Sequence, residues 1–267
     1  MPYAVNALAA RRIHYEDDGG DGTPVLVHGG FLDPIELVRE SPIARALRDH
    51  APDLRLIFVD HVGHGRSDKP HEPDAYAIGL RVADVVAVLD DLGLERAHQV
   101  GISWGGRLAF AIGARAPERT RSLTVIGQQP YAMNPDGRLV RAVRDGLEAS
   151  GERGVEALVE AFEAIAGRYP DPVRAAYLAA DPAAMRAAFT AAMREGAVAT
   201  DLAGWRIPCV ICVAEDDVDF SDQARRAASE IPDAQFIVIG GEDHLGMDTA
   251  RVDPLLPAVL RLIRAYP

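Results

Sequence analysis

A serine set among closely spaced glycines is the feature of this sequence most able to do chemistry. In VGISWGGRLAF, residues 100–110, Ser103 stands two positions from Gly101 and two from Gly105, and Gly106 follows at once. The run turns from apolar and strand-like to helical at the serine, so the hydroxyl is expected on a sharp strand-to-helix turn. Such a turn leaves no room for side chains two positions either side and strains the dihedrals of its central residue. The helix that begins at Trp104 would aim its N-terminal dipole and free N–H groups at the same point, a good place for an oxyanion. A serine hydroxyl is a poor nucleophile until a base takes its proton. An imidazole of near-neutral pKa can do so, and a carboxylate behind it fixes the tautomer and steadies the imidazolium. The possible partners are eight histidines and, after the late apolar run PCVICVA (208–214), the acids Glu215, Asp216, Asp217 and Asp219.

The elements that must position these groups are legible as a rhythm. Short apolar runs recur at 24–29, 54–60, 97–103, 122–127, 208–214 and 234–240, with helical patterns between most of them, such as 74–93 and 104–117. Apolar strands alternating with helices imply a parallel sheet covered on both faces. Segments near 2–5 and 11–16 read as an antiparallel entry hairpin. From Tyr131 to about Asp201 no strand-like run appears, only Ala-, Glu- and Arg-rich helical sequence punctuated by YPDPV and ADPAAM. Some seventy residues are too many for a plain crossover. The expected organisation is a core of residues 1–130 and 202–267 with a helical cap inserted at 131–201, above the carboxyl ends of the strands.

With the elbow placed between such a strand and helix, the sequence resembles the α/β-hydrolase family. Three further stretches carry the resemblance: VHGG (27–30), similar to the family's H-G-x loop, DHVGHGRSD (60–68), similar to its D-x-x-G-x-G-x-S turn, and GGEDHLGMD (240–248), similar to the late loop that carries the catalytic histidine. The resemblance runs from about residue 20 to the C-terminus and describes the insertion least. It implies an α/β-hydrolase fold with a mostly parallel sheet of eight strands. It also implies Ser103 as nucleophile, His244 as base, and an oxyanion hole made by the backbone N–H groups of Gly30 and Trp104. The family's spacing, counted from Ala214, implies Asp217 as the orienting acid, with Asp216 the alternative one position away and Asp219 and Asp243 next in line. His28 and His64 become framework positions. Phe31, Tyr131, Met133 and Leu245 flank the implied site and are expected to line a largely apolar substrate pocket. The activity implied is hydrolysis of carboxylic esters, thioesters or lactones through an acyl-serine. The same residues also serve acyl transfer, C–C bond hydrolysis or perhydrolysis, and a non-catalytic ligand-binding member of the fold is the reading from another class. A serine at the elbow disfavours epoxide hydrolase and haloalkane dehalogenase chemistry, whose relatives place an aspartate there.

Composition excludes other classes. The chain has 267 residues, 48% of them hydrophobic, and a formal net charge of −12, with Lys69 its single lysine. That balance does not suit a nucleic-acid surface, which needs clustered Lys and Arg against phosphates. Neither H-E-x-x-H nor G-x-G-x-x-G after a strand occurs, and Lys69 follows no phosphate loop, so neither metal nor cofactor is expected. Cys209 and Cys212 form a C-x-x-C inside an apolar run, where i and i+3 face opposite ways in a strand, so they read as buried thiols rather than a redox pair. The N-terminus lacks the basic start and apolar core of a leader, and no run approaches a membrane span. A cytoplasmic monomer or homodimer acting on a small ester-like molecule is the expectation.

Overall fold

A computed structural model describes residues 2–241, 243–245 and 252–267. Among these residues the strands form one eight-stranded sheet in the order β1-β2-β4-β3-β5-β6-β7-β8. They are β1 Tyr3–Asn6, β2 Arg11–Asp17, β3 Thr23–His28, β4 Leu54–Val59, β5 Ala97–Ile102, β6 Thr120–Ile126, β7 Cys209–Ala214 and β8 Gln235–Ile239. β1 and β2 make the entry hairpin, β2 runs antiparallel to β4, and every other pairing is parallel. This is the mostly parallel α/β sheet expected from the alternation of strand and helix patterns.

Two apolar layers sandwich the sheet. On one face α1 Ile35–Val38, α2 Pro42–His50 and α10 Leu256–Ala265 pack through Ile35, Leu47, Val259 and Leu262 against Val27, Phe58 and Val210. On the other, α3 Ile78–Asp91, α4 Trp104–Arg115 and α9 Ser221–Glu230 bury Val85, Leu108 and Ala224 against Leu26, Val125 and Ile211. Alternate residues of each strand feed opposite layers, as a period of two requires. Cys209 joins one layer and Cys212 the other, and burial pushes both thiols up to about 12. They lie on opposite faces of β7, and neither is a reactive thiolate near neutral pH.

Between β6 and β7 the chain makes α5 Arg138–Arg153, α6 Glu156–Ala166, α7 Asp171–Leu178 and α8 Pro182–Arg194. Ordinary local signals bound them. Gly154 and Gly167 end α5 and α6 in positive φ, and Asp181 caps α8 by accepting from the Ala183 and Ala184 N–H groups. The ends of this segment are tied together under the helices. The buried Arg107 guanidinium donates to the carbonyls of Tyr131 (2.6 Å) and Gly196 (2.9 Å), and the Val198 N–H donates to the Pro130 carbonyl.

Sheet register decides what meets at the carboxyl edge. His28 pairs with Gly101, Ile102 with Ile126, Ile126 with Cys212, and Ala214 with Ile239. The loops that follow β3, β5, β6, β7 and β8 therefore leave the sheet side by side. Residues 29–34, 103, 127–133, 215–219, 240–241 and 243–245 converge although the chain separates them by as many as 216 positions (245 − 29).

Candidate active site

Ser103 occupies the turn between β5 and α4 with φ 47° and ψ −110°, a left-handed conformation that a side chain adopts only under constraint. The flanking glycines explain why the turn closes. A Cβ on Gly101 would collide with the Gly105 backbone, and one on Gly105 would collide with the backbone of His28. The Gly105 N–H donates to the Gly29 carbonyl at 2.9 Å, fastening the elbow to the loop after β3. The local sequence thus holds a half-buried hydroxyl above the sheet edge.

The hydroxyl has the partners its chemistry needs. Ser103 Oγ lies 2.8 Å from His244 Nε2, and His244 Nδ1 lies 2.8 Å from Asp217 Oδ2. Asp217 is 2% exposed, and its second oxygen accepts from the Asp219 and Phe220 N–H groups. That pattern holds the carboxylate in one orientation and fixes the imidazole behind it. Asp216, its neighbour, faces solvent. Asp219 instead accepts from the Leu139 N–H at 3.0 Å, at the start of α5, and so joins the acid loop to the helical segment. The Phe220 ring lies tilted against the His244 ring, centroid to centroid 4.7 Å. Glu242 and residues 246–248 of the histidine-bearing stretch lie outside the described residues.

The oxyanion positions are less open than the sequence implies. Trp104 is the first residue of α4, so its N–H has no acceptor within the helix. The Gly30 N–H is occupied: it donates to Asp33 Oδ2 at 2.7 Å. Asp33 follows in the same loop and folds back because the Phe31–Leu32 turn reverses the chain, with Leu32 at φ 85°. Its other oxygen accepts from the Tyr177 hydroxyl of α7 at 3.0 Å. Burial pushes the Asp33 carboxyl above the usual carboxylate range, against the two hydrogen bonds that pull it down. On the far side of Trp104 the buried Arg81 guanidinium sits 4.4 Å over the indole ring, its pKa lowered to about 10 by burial.

Above these groups lies a cavity between the sheet edge and the helices of 138–194. Phe31, Met133, Leu139, Val143, Phe162 and Phe189 supply most of its apolar wall, and Leu245 closes it beside His244. Of the expected lining residues Phe31, Met133 and Leu245 are in place. Tyr131 is not: its carbonyl is held by Arg107 and its ring lies under Arg226 at 4.4 Å, outside the cavity. Sequence reasoning missed Asp33, Gln128, Tyr169 and Tyr177, which also reach the wall. Asp33 carried a signal, as an acid in the loop after the early strand. Nothing in the local pattern of α7 marks Tyr177.

Five other histidines, His14, His28, His61, His64 and His98, are buried, and most of them make internal polar contacts. His28 bonds Gln99 at 2.7 Å, His14 bonds Asp60 at 2.7 Å, and His64 accepts from the Leu32 N–H and bonds the Val62 carbonyl. Asp60 also accepts from the Ile35 and Arg66 N–H groups, so the D-x-x-G-x-G-x-S turn braces the loop that carries Gly30. No group of three or more His, Cys, Asp or Glu side chains suited to a metal ion occurs among the described residues. No helix among them is long and apolar enough to cross a membrane.

Comparison with known proteins matches this geometry at the level of the family. A chain that carries the name of the carbamate hydrolase RutD, from Azorhizobium caulinodans, is 31% identical over 257 residues, 91% of this chain and 91% of that one. A chain named as a 2-succinyl-6-hydroxy-2,4-cyclohexadiene-1-carboxylate synthase of Bacillus subtilis is 34% identical over 113 residues. That match covers 39% of this chain and 41% of the Bacillus protein, less than half its length. Among solved structures, the enol-lactonase from Burkholderia xenovorans LB400 superposes with a TM-score of 0.81 at 21% identity, covering 98% of this chain and 100% of that one. That degree of identity speaks for the fold alone. The family model described as alpha/beta hydrolase fold matches residues 23–250, nearly the whole span from β3 to the start of α10, and the chain belongs to that family.

Proposed function

We propose that this α/β-hydrolase-fold enzyme hydrolyses carboxylic esters, thioesters or lactones through an acyl-Ser103 intermediate. The observation that carries the reading is the continuous chain from Ser103 through His244 to the buried Asp217, at the floor of an apolar cavity. His244 Nε2 takes the Ser103 proton as Oγ bonds the acyl carbon. The tetrahedral intermediate collapses by expelling the alcohol, thiol or ring oxygen, which leaves with that proton. Water then repeats the sequence: His244 takes its proton, the hydroxyl bonds the acyl carbon, and Ser103 leaves as the restored hydroxyl. Asp217 keeps Nδ1 protonated throughout.

The oxyanion would form beside the Trp104 N–H, and beside the Gly30 N–H once that group releases Asp33. Donors aimed at developing charge in a dry site are often the largest catalytic term. Residues 131–201 act as a cap on the core of 1–130 and 202–267, and supply most of the acyl pocket. The test is direct. 4-Nitrophenyl acetate should be turned over, a fluorophosphonate should add mass at Ser103, and Ser103→Ala should lose both. Labelling at another residue, or normal turnover by the alanine variant, refutes the reading.

A further inference from the structure

A carboxylate has no ordinary reason to stand where Asp33 stands. It is half-buried, it lines a cavity whose wall is otherwise apolar or neutral apart from the His244 ring, and its partners are two neutral donors, the Gly30 N–H and the Tyr177 hydroxyl. Among the described residues no cation pairs with it, although withdrawing an unpaired carboxylate even partly from water is costly. A Cβ placed on Gly30 would lie 2.9 Å from Asp33 Oδ2 and 3.8 Å from Ser103 Cβ, so one glycine's width separates the carboxylate from the serine. A negative charge there opposes an oxyanion and at the same time occupies one of its two proposed donors. A group that hinders the reaction in the empty site calls for something in the filled site that relieves it.

We propose that Asp33 is a specificity-determining residue that selects substrates bearing a hydrogen-bond donor, a hydroxyl or an N–H, next to the scissile carbonyl. The inference rests on the acyl-Ser103 reading above. On binding, the substrate's donor takes the place of the Gly30 N–H on Asp33 Oδ2, while the Tyr177 hydroxyl keeps Oδ1 in position. The released Gly30 N–H then turns to the carbonyl oxygen as charge develops on it. A substrate without the donor leaves Gly30 tied to Asp33, so it reacts with one oxyanion donor instead of two. Discrimination should therefore appear in kcat as well as in KM, because the interaction opens the site to the transition state.

Paired 4-nitrophenyl esters test this: 2-hydroxypropanoate against 2-methylpropanoate, which replaces the hydroxyl by a methyl, with 2-aminopropanoate as the cationic arm. Intrinsic reactivity cancels when the ratio of kcat/KM within a pair is compared between the wild type and Asp33→Ala or Asp33→Asn. The expected result is a wild-type ratio at least about tenfold above that of Asp33→Ala, since a site built to bond a hydroxyl rejects the analogue that lacks it. The 2-methylpropanoate rate of Asp33→Ala should also rise, as Gly30 is freed. Gain on the amino ester alone would mark the donor as a cation. If both esters change by one common factor in both variants, Asp33 only braces its loop and the proposal falls. Turnover by the wild type and its loss in Ser103→Ala keep the acyl-serine reading standing in that case. No turnover of any ester, with no fluorophosphonate adduct at Ser103, overturns both.

Discussion

Single residues divide the work of this site according to what each neighbour allows. Asp217 and Asp216 are adjacent, yet one is buried against His244 and the other is in water. Asp217→Asn leaves the imidazole in the wrong tautomer without its charge partner, a change that can cost about 10⁴-fold in turnover. Asp216→Asn should alter kcat by a few-fold at most, and the reverse ranking of the two variants in steady-state assays would move the acid by one position. Ser103→Ala should lower kcat by up to about a million-fold, as for other triads, with the circular dichroism spectrum unchanged. Asp33 makes a different kind of prediction. Its carboxyl is held above its ordinary range by burial, so between the unfolded and the folded pKa the folded state keeps a proton that the unfolded chain has already released. Stability attributable to this residue therefore falls as pH rises from the unfolded pKa through the folded one. Asp33→Asn, which removes the charge and keeps an acceptor, should raise Tm by about 2–4 °C near pH 8, and the gain should shrink on acidification. A variant that melts earlier than wild type at pH 8 would show that Asp33 holds its loop instead of straining it.

The elements matter through their ends. The elbow exists because β5 and α4 meet with no side chain between them, and Gly105→Ala would drive a Cβ into the His28 backbone. That substitution should cost several kcal/mol, on the scale of other strained or overpacked sites, and give little folded protein. Arg107 serves the helical segment from beneath. It is fully buried, it springs from α4 one turn after Ser103, and it donates to carbonyls at both ends of the 131–201 stretch. Asp219 makes the corresponding tie from the acid loop to the start of α5. Arg107→Met keeps most of the side-chain volume and removes those donors. Limited proteolysis should then cut within 131–201 at lower protease concentration than in wild type, and KM should rise more than kcat falls. Cleavage that begins in the β-sheet core would count against a clamp local to this segment.

At the scale of the whole molecule, the chain keeps several titratable groups neutral in its interior. Burial lowers the pKa of His28 and His64 to about 4, and holds that of His61 well below its ordinary value. His28 stacks on His61 at 5.2 Å, and His64 meets His61 edge-on at 6.3 Å, all beneath the loop that carries Gly30. The unfolded chain takes up these protons near pH 6.5, whereas the folded chain takes up those of His28 and His64 only near pH 4. Stability is thus present above pH 6.5 and is lost as pH falls through that window. Denaturation midpoints in urea should drop steeply between pH 6.5 and 4. Replacing His61 by Gln, a neutral side chain, should flatten the slope, and an unchanged slope would place the acid sensitivity elsewhere.

The sequence by itself determined whatever depends on a few consecutive residues. Glycines at 101 and 105 require the elbow, the apolar runs require the strands, and their alternation with helices requires a parallel sheet with two covered faces. The order of those strands then brings Ser103, Asp217 and His244 to one edge, and it was the resemblance to the α/β-hydrolase family that singled out these three among the serines, acids and histidines of the chain. Only the tertiary structure decided which side chains meet across long stretches of chain. Tyr177 touches Asp33 over a separation of 144 positions, and Arg107 holds Tyr131 so that its ring turns away from the cavity it was expected to line. Asp33 lies three residues from Gly30, yet its occupation of that N–H follows from the Phe31–Leu32 turn and from the α7 hydroxyl pressed against it. Periodicity and glycine spacing encode backbone geometry, because sterics act over one or two turns of chain. The direction of a buried polar side chain is set instead by the partners that packing delivers, and those come from elements that local pattern does not connect.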